Sequence, residues 1–223
     1  MNKKIHLICL GVLSVLVFNT GYAKEPKNLD LVKGVLIQYH DSGEYEKEQA
    51  KVINHAMQYL KIRLKRAKQK TETKKLAIVL DIDETSLSNY SDMKKMSFGG
   101  TLRQIMDAQA NGTDSAITPT LKLYQYAKAN NIAVFFVTGR TEPYRAATEK
   151  NLTNAGYTKW DGLSLKGDTY KERSAAPYKI RARSLIENQG YDIILNIGDQ
   201  QSDLTGGHAD KTFKLPNPYY LIP

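Results

Sequence analysis

Residues 76–80 read Leu-Ala-Ile-Val-Leu, an unbroken apolar run rich in branched side chains. A half-exposed strand would alternate apolar and polar residues. This one does not, so it predicts a strand covered on both faces. The run stops at Asp81 and Asp83, with Glu84 and Thr85 behind them. Asp and Glu are poor strand formers, and a buried carboxylate is costly unless a counter-charge meets it. A divalent cation held at the strand end is the most economical counter-charge.

Two later stretches repeat the pattern. Residues 132–137 (IAVFFV) stop at Thr138-Gly139-Arg140, where a loop is expected to open. Residues 192–197 (DIILNI) stop at Gly198-Asp199, followed by Ser202-Asp203. In an open parallel sheet, ligands bind beyond the carboxyl ends of the strands. If the three runs are neighbours, Asp81, Asp83, Thr138, Asp199 and Asp203 meet at one edge.

Helical patterns alternate with these runs. Residues 28–40 place Leu29, Val32, Leu36 and Tyr39 at helical spacing, and residues 44–68 form the clearest helix. Its stripe is Ile53, Ala56, Met57, Leu60, Leu64 and Ala67, with acids leading and bases trailing as the helix dipole favours. Further helices are expected over 101–110, 119–130, 143–155 and 178–188, the last with Arg181 and Arg183 outside. Short strands are expected over 160–165 and 212–215. The alternation points to an α/β fold with a doubly wound parallel sheet and an accessory helical part. The expected division is residues 1–23, a helical part over 24–75, and a core over 76–223 with an insertion at about 90–118. Tyr90, Met96 and Phe98 in that insertion line a pocket or simply pack under a loop. His40 and His55 read as surface or packing residues.

Residues 1–23 have the pattern of a secretory signal: Lys3 and Lys4, an apolar stretch over 5–18, then Gly21-Tyr22-Ala23. The stretch is too short to be a stable membrane anchor. Cleavage near Ala23 would lower the formal charge of +9 by two and remove Cys9, the only cysteine. The expectation is an exported protein, secreted or periplasmic, without disulfides. Its basic residues are scattered and no nucleic-acid motif is present, so nucleic acid is not an expected partner. A positive field would instead favour phosphorylated anions. Oligomeric state is left open.

Four stretches in order, DIDETSLSN, FFVTGR, a lysine within YKIRARSLIENQGYDI, and NIGDQQSDL, resemble the haloacid-dehalogenase-like phosphohydrolases. Within them the chain is most similar to secreted acid phosphatases of classes B and C and to plant acid phosphatases and vegetative storage proteins. The tail FKLPNPYYLIP is similar to the plant-type members. The resemblance implies an exported Mg²⁺-dependent acid phosphatase for small phosphomonoesters, nucleoside monophosphates among them, working through an aspartyl-phosphate. Asp81 is then the nucleophile and Asp83 the general acid and base, its pKa raised by neighbouring acids and burial. Thr138 and Lys179 bind the phosphoryl group, with Lys166 and Lys171 as rivals for the lysine. Mg²⁺ falls to Asp81, the Asp83 carbonyl, Asp199 and Asp203. Ser86, Tyr90 and Gln200-Gln201 depart from the class C pattern and leave the subclass open. Transfer to alcohol acceptors, or a non-catalytic phosphate-binding or storage role, are the alternatives.

Overall fold

The computed structural model describes residues 24–70 and 74–222. The signal-like segment 1–23 lies outside the described residues. Helix α1 (Leu29–Asp41) is capped by Asn28, whose side chain accepts from the Asp30 N–H at 2.9 Å. Helix α2 (Glu44–Lys70) follows a turn at Gly43, whose φ of 80° suits a residue without Cβ. The α2 stripe is buried at Ile53, Ala56, Leu60 and Leu64, as its spacing predicts. Truncating a core residue such as Leu60 to Ala costs about 2–5 kcal/mol.

The sheet has five parallel strands: β1 (Lys75–Leu80), β4 (Ala133–Thr141), β5 (Gly162–Lys166), β6 (Tyr191–Gly198) and β7 (Thr212–Lys214). Their order is β5-β4-β1-β6-β7, with β1 in the middle. The two faces explain the apolar runs. Ile78, Leu80, Val134, Phe136 and Ile197 face α2 and α5 (Thr118–Ala129). Ala77, Val79, Phe135, Val137 and Ile193 face the other way, against Ala182 and Ile186 of α7 (Ala176–Asn188). Each strand residue therefore needs an apolar side chain whichever way it points.

From β1 the chain moves outward through α5, β4, α6 (Arg145–Asn154) and β5. It then crosses back through α7 to β6, on the far side of β1. The winding reverses at β1, so its carboxyl end is the topological switch point of this doubly wound α/β sheet. Leu80 pairs with Phe136 on one side and Ile197 on the other, and the Asp81 N–H donates to Ile197 O at 2.9 Å. That register puts the three run ends side by side.

Three local expectations change. Strand β4 continues through Thr138, Gly139 and Arg140 to Thr141, which pairs with Lys166 beyond an irregularity in the ladder. The segment after β1 carries a two-residue ribbon, β2 (Leu87–Ser88) with β3 (Ser115–Ala116), and a short helix α3 (Tyr90–Lys95). These are too short to leave a periodic signal. Arg183 is 1% exposed rather than outside. Its guanidinium donates to Asp203 O at 2.7 Å and Gly207 O at 3.0 Å, and to Thr205 O. The irregular chain after β6 leaves these carbonyls without ladder partners, and Arg183 supplies the donors. Arg181 is exposed as expected.

Helix α4 (Leu102–Asn111) follows a capping box between Thr101 and Gln104. Tyr90 is buried with Tyr45, Met93 and Tyr219, and Met96 and Phe98 pack against that cluster, so all three belong to packing.

Candidate active site

The turn after β1 is built on one carbonyl. Ile82 O accepts from the backbone N–H of Thr85, Ser86 and Leu87, and Ser86 Oγ donates to Asp81 O at 2.6 Å. This folds the acidic stretch back over the strand end instead of letting it run into solvent. Asp81 is 5% exposed there. Lys179, on the first turns of α7, reaches across the sheet edge and donates to Asp81 Oδ1 at 2.6 Å. The same ammonium donates to Asp203 Oδ1. Lys166 lines the same cavity, but Lys179 is the lysine that makes these contacts. No contact joins Lys171 to the carboxylates among the described residues.

Asp199 follows β6 directly, and Asp203 lies in α8 (Gln201–Leu204), held by the Gln200 N–H at 2.8 Å. Carboxylate oxygens of Asp81, Asp199 and Asp203 lie within 4.8 Å of one another. A Cβ on Gly198 would sit 2.3 Å from the Asp203 Cβ, so only glycine lets Asp203 approach.

The electrostatics follow from this crowding. Burial pushes Asp81 well above the usual carboxylate range; Lys179 pulls it back, and Asp203 and Asp199 push it further up. Asp199 rises to about 6, first from burial and then from Asp203. Lys179 stays charged: burial disfavours the ammonium, but Asp203 and Asp81 outweigh it. One ammonium among three close carboxylates leaves an excess of negative charge. An all-oxygen, anionic donor set of this kind fits a hard divalent cation.

Asp83 lines the same cavity but stands outside the cluster of three carboxylates. Burial acts to raise its pKa, but the Arg140 guanidinium holds it below the usual range. The expectation of a raised Asp83 is therefore not met. Arg140 Nη2 and Nε lie 2.7 Å and 3.1 Å from Asp83 Oδ1, and Asn89 Nδ2 donates to the same oxygen at 2.8 Å. Only the Asp83 carbonyl remains for a cation at the cluster. Thr138 is fully buried, and its hydroxyl oxygen accepts from the Arg140 N–H at 3.1 Å. The residues of β4 that line the cavity are Gly139, Arg140 and Thr141.

That cavity, about 370 Å³, opens over Asp81, Asp83, Lys179, Asp199 and Asp203. Its outer walls are apolar: Met93, Ile105, Met106, Tyr144 and the tail residues Leu221 and Ile222. Several residues here lie beyond sequence reasoning. Arg140 is visible only as the third residue of TGR, and Asp114, its second partner at 3.1 Å, carries no motif. Glu84 is fully buried with its pKa pushed up to about 8 by burial, even though Tyr45 OH and the Asn89 N–H donate to it. Asn217 donates to Asp199 Oδ2 at 2.6 Å from a tail notable in sequence only for its resemblance.

Comparison with known proteins bears on the family and the fold. A model of the HAD superfamily, subfamily IIIB (acid phosphatase), matches residues 27–223. Acid phosphatase 1 of Solanum lycopersicum is 39% identical over 150 residues, covering 65% of this chain and 58% of that protein. The stem 28 kDa glycoprotein of Glycine max is 41% identical over 150 residues, with 65% and 59% covered. Vegetative storage protein 1 of Arabidopsis thaliana is 32% identical over 150 residues, with 65% and 55% covered. The matched region thus spans less than two thirds of these relatives. The class C acid phosphatase from Bacillus anthracis superposes with a TM-score of 0.69 over 86% of both chains at 22% identity, a likeness of fold. With the family match running over nearly all described residues, the chain belongs to subfamily IIIB of the HAD superfamily, the acid phosphatase subfamily.

Proposed function

We propose that this protein is an exported, Mg²⁺-dependent phosphomonoester hydrolase that works through an aspartyl-phosphate on Asp81. The observation that carries the reading is the meeting of Asp81, Asp199, Asp203 and Lys179 at the switch point, under an open cavity. Asp81 attacks phosphorus and the ester P–O bond breaks; water later attacks the acyl phosphate and releases inorganic phosphate. Lys179 steadies the charge on Asp81 and on the incoming phosphoryl group, and Thr138, buried below the cavity, acts by holding the Arg140 N–H at the end of β4 that lines it. Asp81, the Asp83 carbonyl, Asp199 and Asp203 would hold the Mg²⁺. When bound, the ion neutralises the carboxylates and polarises the phosphoryl group.

Asp83 manages the proton. Held anionic by Arg140, it suits the second step, in which it takes a proton from the attacking water. For the first step it needs a proton to hand to the leaving alkoxide. A phosphomonoester monoanion brings one on its own P–OH, which Asp83 accepts and passes to the departing oxygen. Since the second ionisation of a phosphomonoester lies near about 6, this route favours acid pH.

The apolar outer walls suit small esters with an aryl or nucleoside leaving group. Export rests on the pattern of residues 1–23; among the described residues no helix is long and apolar enough to cross a membrane.

The test is phosphate release from p-nitrophenyl phosphate and a nucleoside monophosphate, with Mg²⁺ or EDTA, by wild type and Asp81→Asn. Metal-dependent release lost by about a thousandfold or more in the variant is expected. A folded wild type silent from pH 4 to 8 would sink the reading, and full activity in Asp81→Asn would remove Asp81 as nucleophile.

A further inference from the structure

The C-terminal segment runs back across the site instead of trailing from β7. Leu215 N–H donates to Gly198 O at 2.9 Å, which turns the chain toward the end of β6. Tyr219 then buries its ring against Tyr45, at 5.2 Å between centroids. Beyond it, Ile222 N–H donates to Gln200 Oε1 at 3.0 Å. The neighbour of Gln200 in this clamp is Asp199, and between the two anchors stands Asn217. Its Nδ2 donates to Asp199 Oδ2 at 2.6 Å, while its Oδ1 accepts from the Tyr219 N–H at 2.8 Å. The two ends of the amide do different things. The oxygen shapes the tail, and the nitrogen holds the carboxylate.

Asp199 Oδ2 also accepts from Gln200 Nε2 at 2.5 Å. Two amide donors thus occupy one oxygen. Among the described residues Oδ1 has only Thr85 Oγ1, at 3.4 Å, and is the oxygen left for a cation. A carboxylate fixed in this way presents one oxygen in one direction, which is how supporting hydrogen bonds raise metal affinity.

We propose that the segment 216–222 is a working part of this site, with Asn217 as the positioning residue for Asp199. The inference rests on the reading of Asp199 as a metal ligand in a phosphatase. It makes the tail necessary for cation binding and not merely for closing the fold.

The variants Asn217→Ser and Asn217→Ala separate shaping the tail from holding the carboxylate. A serine hydroxyl can still accept from the N–H two residues on, but is too short to reach Asp199. Mg²⁺ affinity is measured by titration calorimetry, and unfolding temperature in EDTA beside it. Both variants are expected to bind Mg²⁺ about 10–100-fold more weakly. Asn217→Ser, which keeps the turn of the tail, should unfold in EDTA nearer the wild-type temperature than Asn217→Ala does, and its kcat for p-nitrophenyl phosphate should recover at saturating Mg²⁺. If Asn217→Ser binds Mg²⁺ as wild type does, Asn217 only shapes the tail and the inference falls. If wild type itself neither binds Mg²⁺ nor releases phosphate, the phosphatase reading fails first and carries this one with it.

Discussion

Arg140 Nη2 lies 2.7 Å from Asp83 Oδ1, and the same guanidinium reaches Asp114 at 3.1 Å, with its side chain fully shielded from solvent. One buried cation is therefore shared by two buried acids from opposite ends of the segment after β1. Burial raises Asp114 to about 6 even with Arg140 beside it, whereas Asp83, nearer the guanidinium, is pulled below its ordinary value. The pair fixes where Asp83 points and keeps it ionised.

Arg140→Gln should cost stability, by about 3–5 kcal/mol at pH 7, because it strands two buried carboxylates. The pH dependence carries a sign. In wild type, Asp83 has a lowered folded pKa, so its contribution is present above the unfolded value and is lost as pH falls. In the variant both acids are raised, so their burial is tolerated at acid pH and opposes folding as pH rises. Denaturant unfolding in EDTA should show a larger deficit at pH 7 than at pH 4. An equal or reversed deficit would mean that Arg140 does not hold Asp83 ionised.

The strands and the meeting of their ends are legible in the sequence because the physics is local. An apolar run without alternation means two covered faces, and acids at the end of such a run need a shared counter-charge. Asp81, Asp199 and Asp203 follow from that, whereas Lys179 is singled out only by the family resemblance. Arg183 reads as exposed because a long cation on a helix is ordinarily solvated, and nothing near it in the sequence announces the open carbonyls 20–24 residues away. Asp83 reads as an acid of raised pKa because its sequence neighbours are acidic, while the charge that decides the matter lies 57 residues on. Asn217 stands in a segment with no period at all; only the register of β6 against β7 brings it to Asp199.

Cation binding should stabilise the protein more as pH rises. Asp199 is raised to about 6, first by burial, so in the metal-free protein its contribution is full below the unfolded value near 3.8 and is lost as pH climbs through about 6. A divalent cation reverses this by taking up the ionised form and releasing protons. The rise in unfolding temperature caused by Mg²⁺ should grow between pH 4 and pH 7. A shift that is flat or falls with pH would remove Asp199 from the cation site.

Gly198→Ala should weaken the same site from the backbone side. The new Cβ would lie 2.3 Å from Asp203 Cβ and Oδ2, and both sides of that contact are buried. Asp203 must shift, breaking its bond to the Gln200 N–H and its pairing with Lys179. The expected cost is about 1–3 kcal/mol of stability, with Mg²⁺ bound about tenfold more weakly or worse. Unchanged affinity in calorimetry would show that Asp203 is not needed at the ion.

The apolar mouth of the cavity sets the last expectation. Ile105 and Met106 come from α4, Tyr144 from the turn before α6, and Leu221 and Ile222 from the tail, so three separate segments meet above Asp81 and Lys179. Among the described residues, none of these side chains hydrogen-bonds to the carboxylate cluster. They can therefore grip a leaving group without touching the chemistry, which is uniform binding of ground state and transition state. Replacing Ile105 by Asn removes apolar surface at one wall, worth on the order of 1–2 kcal/mol for a leaving group that covers it. KM for p-nitrophenyl phosphate should rise about tenfold with kcat nearly unchanged. Glycerol phosphate, whose leaving group is polar and small, should show little change in either constant. If both esters lose equally, Ile105 supports the fold of α4 and not the substrate. If kcat falls while KM holds, the mouth acts on the transition state and the division between gripping walls and reacting floor is wrong.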